Sequence, residues 1–331
     1  MPRRLLLHVL TPLLFAFFTL TATAAPLKVG VSDWPGWVAW YVAQEKGFLK
    51  RHGAEVELVW FPNYTDSIQA LSAGQLDANS QTWSDTLAPL AAGIPLKVVL
   101  VNDNSAGNDA LMVAPSIKSF ADLKGKSVAL EQFSISHFVL ATALARNGMR
   151  PEDVKVVNLA AGDAAAAFIG GRVPAAVVWN PWVNQIQASG KGKPLFTSKD
   201  MPGLVPDLLV ARAPVLNDAA KRATLLGMVR AWYETVDFIA KEPQEAAKIM
   251  AKVVGLPAPE YATYLSGTRF FGEKDNLIAL GEPKRPESLV AVGPTITTFL
   301  KQNKLLEGNV DFAGAVDPSL VREAAGMTAG P

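Results

Sequence analysis

The chain has 331 residues, half of them hydrophobic, a formal charge of +1 and no cysteine. That is enough for one large or two medium cores, and it excludes a disulfide scaffold, a thiolate metal site and a lipid-carrying cysteine. A chain this close to neutral has no basic surface of the kind that grips phosphate backbones, so no nucleic-acid partner is expected.

Met1-Pro-Arg-Arg-Leu runs into an apolar stretch as far as Leu20 and then into Thr-Ala-Thr-Ala-Ala25. A charged start, an apolar body too short for a membrane span and a small-residue ending read as a cleavable export signal over 1–25. The expected mature protein begins near Ala25 or Pro26 and is free in the periplasm.

The mature chain opens on its most informative stretch, Val29 to Gly53. Lys28 to Ser32 alternates into a buried strand, Pro35 suits the first turn of a helix, and Gly47 suits its C-terminal end. The loop Ser32 to Trp37 therefore lies at the C-terminal end of a strand, facing the N-terminus of the next helix. Free N–H groups and the helix dipole converge at such edges, and ligands of open α/β sheets bind there. Ala54 to Phe61 is expected to be a strand, Thr65 or Asp66 to cap a helix ending at Gly74, and Leu76 to Gln81 to be a strand leading to Trp83. Ser84 then caps a helix to Ala92, and Leu96 to Val101 is a further strand.

Two phrases pair an acid with an apolar run and a proline, Asp109 to Pro115 and Asp207 to Pro214, and mark the crossings between two lobes. Between them, strands Ser127 to Leu130, Val154 to Leu159 and Ala175 to Trp179 alternate with helices Ser136 to Asn147 and Asp163 to Ile169. Gly74 to Ala78 leading to Trp83 parallels Gly171 to Ala175 leading to Trp179, a weak internal repeat that brings tryptophan to one cleft from each side. From Asn217 the pattern turns helical over Ala219 to Ala240, and Pro243 opens a helix ending at Gly255. The Ala- and Gly-rich tail beyond Pro318 is expected to fray.

Three phrases, Val29 to Gly53, Leu71-Ser-Ala-Gly-Gln-Leu-Asp77-Ala78 and Phe120-Ala-Asp-Leu-Lys-Gly-Lys-Ser-Val128, resemble in order and spacing the periplasmic solute-binding proteins of the nitrate, sulfonate and taurine (NMT1/THI5-like) class of ABC importers. The resemblance covers residues 28 to 240. It implies an α/β, two-lobed periplasmic binding protein fold of type II, each lobe an αβ sandwich, with C-terminal helices packed on lobe 1. The division is then signal 1–25, lobe 1 over 26–113, lobe 2 over 114–206, and a return to lobe 1 over 207–331. It also implies a monomer that hands a small solute to a membrane permease and its ATPase, with no cofactor, no metal and no catalysis.

Trp34, Trp37, Trp83, Trp179 and Trp182 all fall at strand ends or in loops, although the chain has only 8 Trp. Large aromatics also fill cores, but as a set these point to an aromatic-lined cleft. Ser32, Asp33, Asp85, Glu131, Ser134, Asp163 and Asp207 are the polar candidates beside them, with His137 one turn beyond Glu131. Asp85 and Asp163 suit helix first turns equally well as caps. No Arg or Lys occurs in the candidate loops, whereas nitrate or a sulfonate is commonly held with a positive charge. A small cation or a neutral urea-like amide is therefore favoured. Relatives that open with a similar Ser-Asp-Trp-Pro-Gly-Trp loop are associated with urea or guanidine use, and that resemblance leans the same way. The same carrier role for an aliphatic sulfonate, taurine or nitrate is the alternative. A thiamine-pyrimidine-synthase-like enzyme shares the fold but relies on cysteine and histidine clusters that are missing here, and a sensor lobe feeding a kinase is a third possibility.

Overall fold

The computed structural model describes residues 25–327, so the export signal expected upstream of Ala25 and the last four residues lie outside it. Eleven strands form two sheets among the described residues. β1 (Leu27–Val31), β2 (Val56–Trp60), β3 (Ala78–Thr82) and β4 (Leu96–Ser105) belong to the first sheet. β5 (Asp109–Val113), β6 (Ser127–Leu130), β7 (Lys155–Asn158), β8 (Ala175–Trp179) and β9 (Lys193–Thr197) make the second. β10 (Pro206–Arg212) and β11 (Thr268–Phe270) return to the first, giving the orders β11-β4-β10-β3-β1-β2 and β7-β6-β8-β5-β9.

The internal repeat is real at the level of topology. β1 runs parallel to β2 and β3 just as β6 runs parallel to β7 and β8, and each set ends on an antiparallel crossing strand, β10 beside β3 and β5 beside β8. The first change of sheet falls between Ser105 and Asp109, so Asp109–Val113, assigned from the sequence to the first lobe, pairs inside the second. Both crossing acids, Asp109 and Asp207, stand at the very start of this exchange.

The helix Pro35–Glu45 is apolar on nearly all sides, with Trp37, Val38, Trp40, Val42 and Ala43 buried. Such a helix must be covered on both faces. The sheet covers one, and the C-terminal helices Ala219–Lys241 and Pro243–Val254 cover the other, with the Trp40 and Trp232 rings 4.7 Å apart. Asp218 caps the longer helix by accepting from Ala220 and Lys221, and Gly255 closes the shorter one at φ 69°. The expected fraying beyond Pro318 does not occur over Ser319–Ala324, because this helix buries Leu320 and Val321 against lobe 1.

Candidate functional site: an interlobe cleft lined by acids and tryptophans

Asp33 follows β1 in the loop that enters the helix Pro35–Glu45, and its carboxylate reaches the other lobe. Oδ1 accepts the indole N–H of Trp179, the last residue of β8, at 2.8 Å, and Oδ2 accepts that of Trp182 at 2.7 Å. Two further acids cross the cleft in the same manner, each to the N-terminus of the opposite lobe's helix. Glu131, just past β6, accepts with Oε1 from the N–H (2.8 Å) and the hydroxyl (2.7 Å) of Thr65, in the first turn of Tyr64–Ser72. Asp85 of the first lobe accepts with Oδ2 from the N–H of Ile135 at 2.9 Å, where the helix Ile135–Arg146 begins. Helix N-termini have free N–H donors and a favourable dipole, so an acid is a natural partner there.

A second set of acids lies at the lobe crossings. Asp103 of β4 stands opposite Asp207 of β10 in the antiparallel ladder, and Asp109 opens β5 opposite Trp179. Asp103 also accepts from the indole N–H of Trp34 (3.1 and 3.3 Å). It approaches so closely that a Cβ on Gly36 would sit 1.8 Å from its Oδ2, which is why the first turn of the opening helix carries glycine. Oδ2 of Asp109 and of Asp207 are buried without a hydrogen-bond partner.

Burial moves all six acids upward. Asp33 and Asp85 each rise to about 6, because desolvation outweighs the bonds they accept. Asp109 rises to about 7 and Asp103 to about 8, again from burial first. Asp207 is pushed well above the usual carboxylate range by burial and then by the charges of Asp103 and Asp109. Glu131 is raised by burial despite the Thr65 bonds.

Trp34, Trp37, Tyr64 and Trp179 wall a pocket whose polar lining includes Asp109 and Asp207, and no Lys or Arg lines it. Tyr64 is held by accepting from the N–H of Thr82 (2.9 Å); its ring lies 5.0 Å from that of Trp37 and meets Trp179 edge-on at 5.9 Å. The space left among these side chains is about 10 Å³, roughly one water molecule by the same measure. On the outer side of Asp33 the lobes leave an open cleft of about 310 Å³ bordered by Trp60 and Trp182. A larger groove of about 660 Å³ lies elsewhere, walled by Lys199, Phe271 and Arg269, and touches none of the six acids.

Of the residues singled out from sequence, Asp33, Trp34, Trp37, Asp85, Glu131, Trp179, Trp182 and Asp207 meet at this interface, and Ser32 is buried beside them with its hydroxyl unpartnered. Four do other work. Trp83 donates to the carbonyl of Leu289 (3.2 Å) and packs edge-on against Phe312 inside lobe 1. Asp163 is exposed in the first turn of Ala161–Ile169 and is not the N-cap, a position held by Ala160. Ser134 caps Ile135–Arg146 and donates to the carbonyl of Glu131 (2.7 Å). His137 is half-buried against the Phe133 ring, outside the pocket. Tyr64, Thr65 and Asp103 belong to the site and were not singled out from the sequence. Asp103 lies just past the apolar run Leu96 to Val101, in a polar stretch that reads as a loop.

The model of the NMT1/THI5-like family matches residues 34–246. The chain belongs to that family. An Escherichia coli (strain K12) protein named for aliphatic sulfonates binding is 29% identical to this NMT1/THI5-like chain over 253 residues, covering 75% of it and 78% of the relative. The taurine-binding periplasmic protein of the same organism is 25% identical over 276 residues, covering 79% of each. Among solved structures, the alkanesulfonate-binding protein SsuA from Xanthomonas axonopodis pv. citri, bound to MOPS, superposes with a TM-score of 0.76 at 21% identity over 90% of this chain and 99% of its own. The nitrate-binding protein NrtA from Synechocystis PCC 6803 gives a TM-score of 0.74 at 16% identity, over 93% and 90%. The two-lobed fold of type II periplasmic binding proteins is thus the fold of this chain.

Proposed function

We propose that this NMT1/THI5-like protein is the periplasmic solute-binding component of an ABC importer, and that it captures a small nitrogen-containing cation, guanidinium-like in size and charge, between its lobes. It would act as a monomer and deliver the solute to a membrane permease coupled to an ATPase. The carrier role is supported by family membership and by the relatives' named roles. The charge of the solute rests on one observation: two buried carboxylates, Asp109 and Asp207, line the interlobe pocket, four more are buried at the same interface, and no basic side chain lines the pocket.

Uncompensated buried carboxylates are costly, and a cation that enters among them supplies the missing countercharge. The aromatic walls add roughly 0.5–2 kcal/mol for a cation over a ring face. Indole N–H groups would be the natural donors to an anion; those of Trp34, Trp179 and Trp182 are already given to Asp103 and Asp33, and that of Trp37 in the pocket wall is unpartnered. The relatives' names support a second reading, the same role for a sulfonate, taurine or nitrate. Titration calorimetry against guanidinium, urea, taurine, alkanesulfonates, nitrate and thiamine-pyrimidine precursors separates the two. Guanidinium or a similar cation is expected to bind best. A sulfonate or nitrate binding best, with affinity unchanged or improved by Asp207→Asn, overturns the cation reading and leaves the carrier role standing.

A further inference from the structure

Asp103, Asp109 and Asp207 occupy an unusual place: each sits where the chain passes between the lobes, on β4, β5 and β10. Asp103 and Asp207 face each other as directly opposed residues of adjacent antiparallel strands, an arrangement that sets both buried side chains close together on one face of the sheet. Two carboxylates opposed in a buried site without a base beside them repel each other, and a proton held by one of the pair relieves that repulsion. Asp207 and Asp109 each also keep one buried oxygen without a partner, and both side chains line the pocket.

We propose that these three aspartates form a proton-exchanging subsite: they hold a shared proton when no solute is bound, and a cationic solute takes its place, releasing that proton to solvent. The charge balances, since one positive charge enters as one leaves. The proposal rests on the cation reading above and adds what that reading does not specify, namely that capture is an exchange.

The groups facing the subsite offer the three aspartates no countercharge other than that proton. Asp85 comes from the helix Trp83–Ala91, Asp33 from the loop after β1, and the hydroxyls of Tyr64 and Tyr261 lie within reach of their fields; all are acidic or neutral. Trp34 gives its N–H to Asp103, and the neighbouring Ser105 hydroxyl pairs with that of Ser198. Two bases lie beside the crossing, Lys199 against Gly107 and Arg269 opposite Asn104, and both line the outer groove, not the pocket. Burial drives the acids toward the protonated form, which is the state that a solute must displace.

Two measurements on the full mature protein test this. Titrations with guanidinium chloride near neutral pH, in buffers of differing ionisation enthalpy, are expected to show about one proton released per solute bound, and an affinity that falls about tenfold per pH unit as the pH is lowered. Asp207→Asn is expected to cut the release and flatten the pH dependence. Infrared difference spectra are expected to show the carbonyl stretch of a protonated carboxyl in the protein alone and its loss on adding guanidinium; this second readout needs no variant to fold. Binding heats that are equal across buffers, or no protonated-carboxyl band in the protein alone, overturn the exchange while leaving the cation site intact. Failure of guanidinium, methylguanidinium and tetramethylammonium all to bind overturns both.

Discussion

Asp33 of the first lobe accepts the indole N–H of Trp179 of the second at 2.8 Å, a bond that can form only while the lobes are shut. Its other oxygen serves Trp182 at 2.7 Å, so one carboxylate fastens two tryptophans across the cleft. Asp33→Asn keeps a single acceptor oxygen and turns an amide N–H₂ toward the second indole N–H. Losing a charge-assisted bond in a dry site costs about 1.5–3 kcal/mol, which is roughly ten- to a hundred-fold in affinity. Calorimetry should show that loss, and small-angle scattering should show less compaction on adding solute.

Glu131→Gln should be milder. The amide oxygen can still accept from the Thr65 N–H and hydroxyl that Oε1 now serves, so a change of about 1 kcal/mol or less is expected. Glu131→Ala removes the acceptor and should exceed it clearly. Equal affinities for the two variants would mean that this bridge contributes nothing to closure.

Acidity should stabilise the protein in the absence of solute. Asp33 and Asp85 rise from 3.8 to about 6, Asp109 to about 7 and Asp103 to about 8. The folded protein therefore holds protons that the unfolded chain has already lost, so stability falls as pH rises from about 4 toward about 8. A shift like that of Asp33 is worth on the order of 3 kcal/mol. Melting followed by fluorescence across this range should show Tm declining with pH, and a bound cation should recover most of the loss at the alkaline end.

Gly36→Ala tests the approach of Asp103 to the opening helix. The new methyl would meet Oδ2 at 1.8 Å and the indole nitrogen of Trp34 at 2.7 Å, so both must move. A loss of about 1–3 kcal/mol of stability is expected from overpacking, read by urea unfolding, together with weaker solute binding.

Trp37→Leu and Trp83→Phe should separate cleft from core. Trp37 walls the pocket, whereas Trp83 donates to Leu289 within lobe 1. Trp37→Leu should weaken a cationic solute more than a neutral one of equal size. Trp83→Phe should lower stability by about 1 kcal/mol for the lost hydrogen bond and leave affinity unchanged.

The contrast between those two tryptophans shows how far local sequence reaches. Both follow strands, and both looked like cleft residues because the strand–loop–helix pattern around them is the same. Trp83 is turned into the core by Leu289 and Phe312, partners so distant in sequence that no local pattern announces them. Asp33, Trp179 and Trp182 were legible because a strand's C-terminal end fixes where a loop points, whichever strands pair beside it. Asp103 was hidden for the opposite reason. Asn102 to Ser105 look like a loop, and β4 continues through them only because β10 and β11 supply ladder partners from far downstream. Asp163 misled because an acid in a helix's first turn has the same sequence signature whether it faces a ligand or water.

The position of β10 has a consequence for how the chain acquires its shape. It lies between β4 and β3 in the first sheet, yet in the chain it comes after every strand of the second lobe. A polypeptide emerging N-terminus first must therefore wait, with the edges of β3 and β4 unpaired and open to wrong partners, until the intervening lobe has been synthesised. That lobe enters and leaves through neighbouring strands, so once folded it holds the two ends about one strand spacing apart, and the entropy of bringing β10 home is largely spent beforehand. Seating this strand also sets Asp207 opposite Asp103. The centre of the sheet and the candidate solute site are completed in one event, with only the short β11 still to add beside β4, and a chain stalled before it has neither.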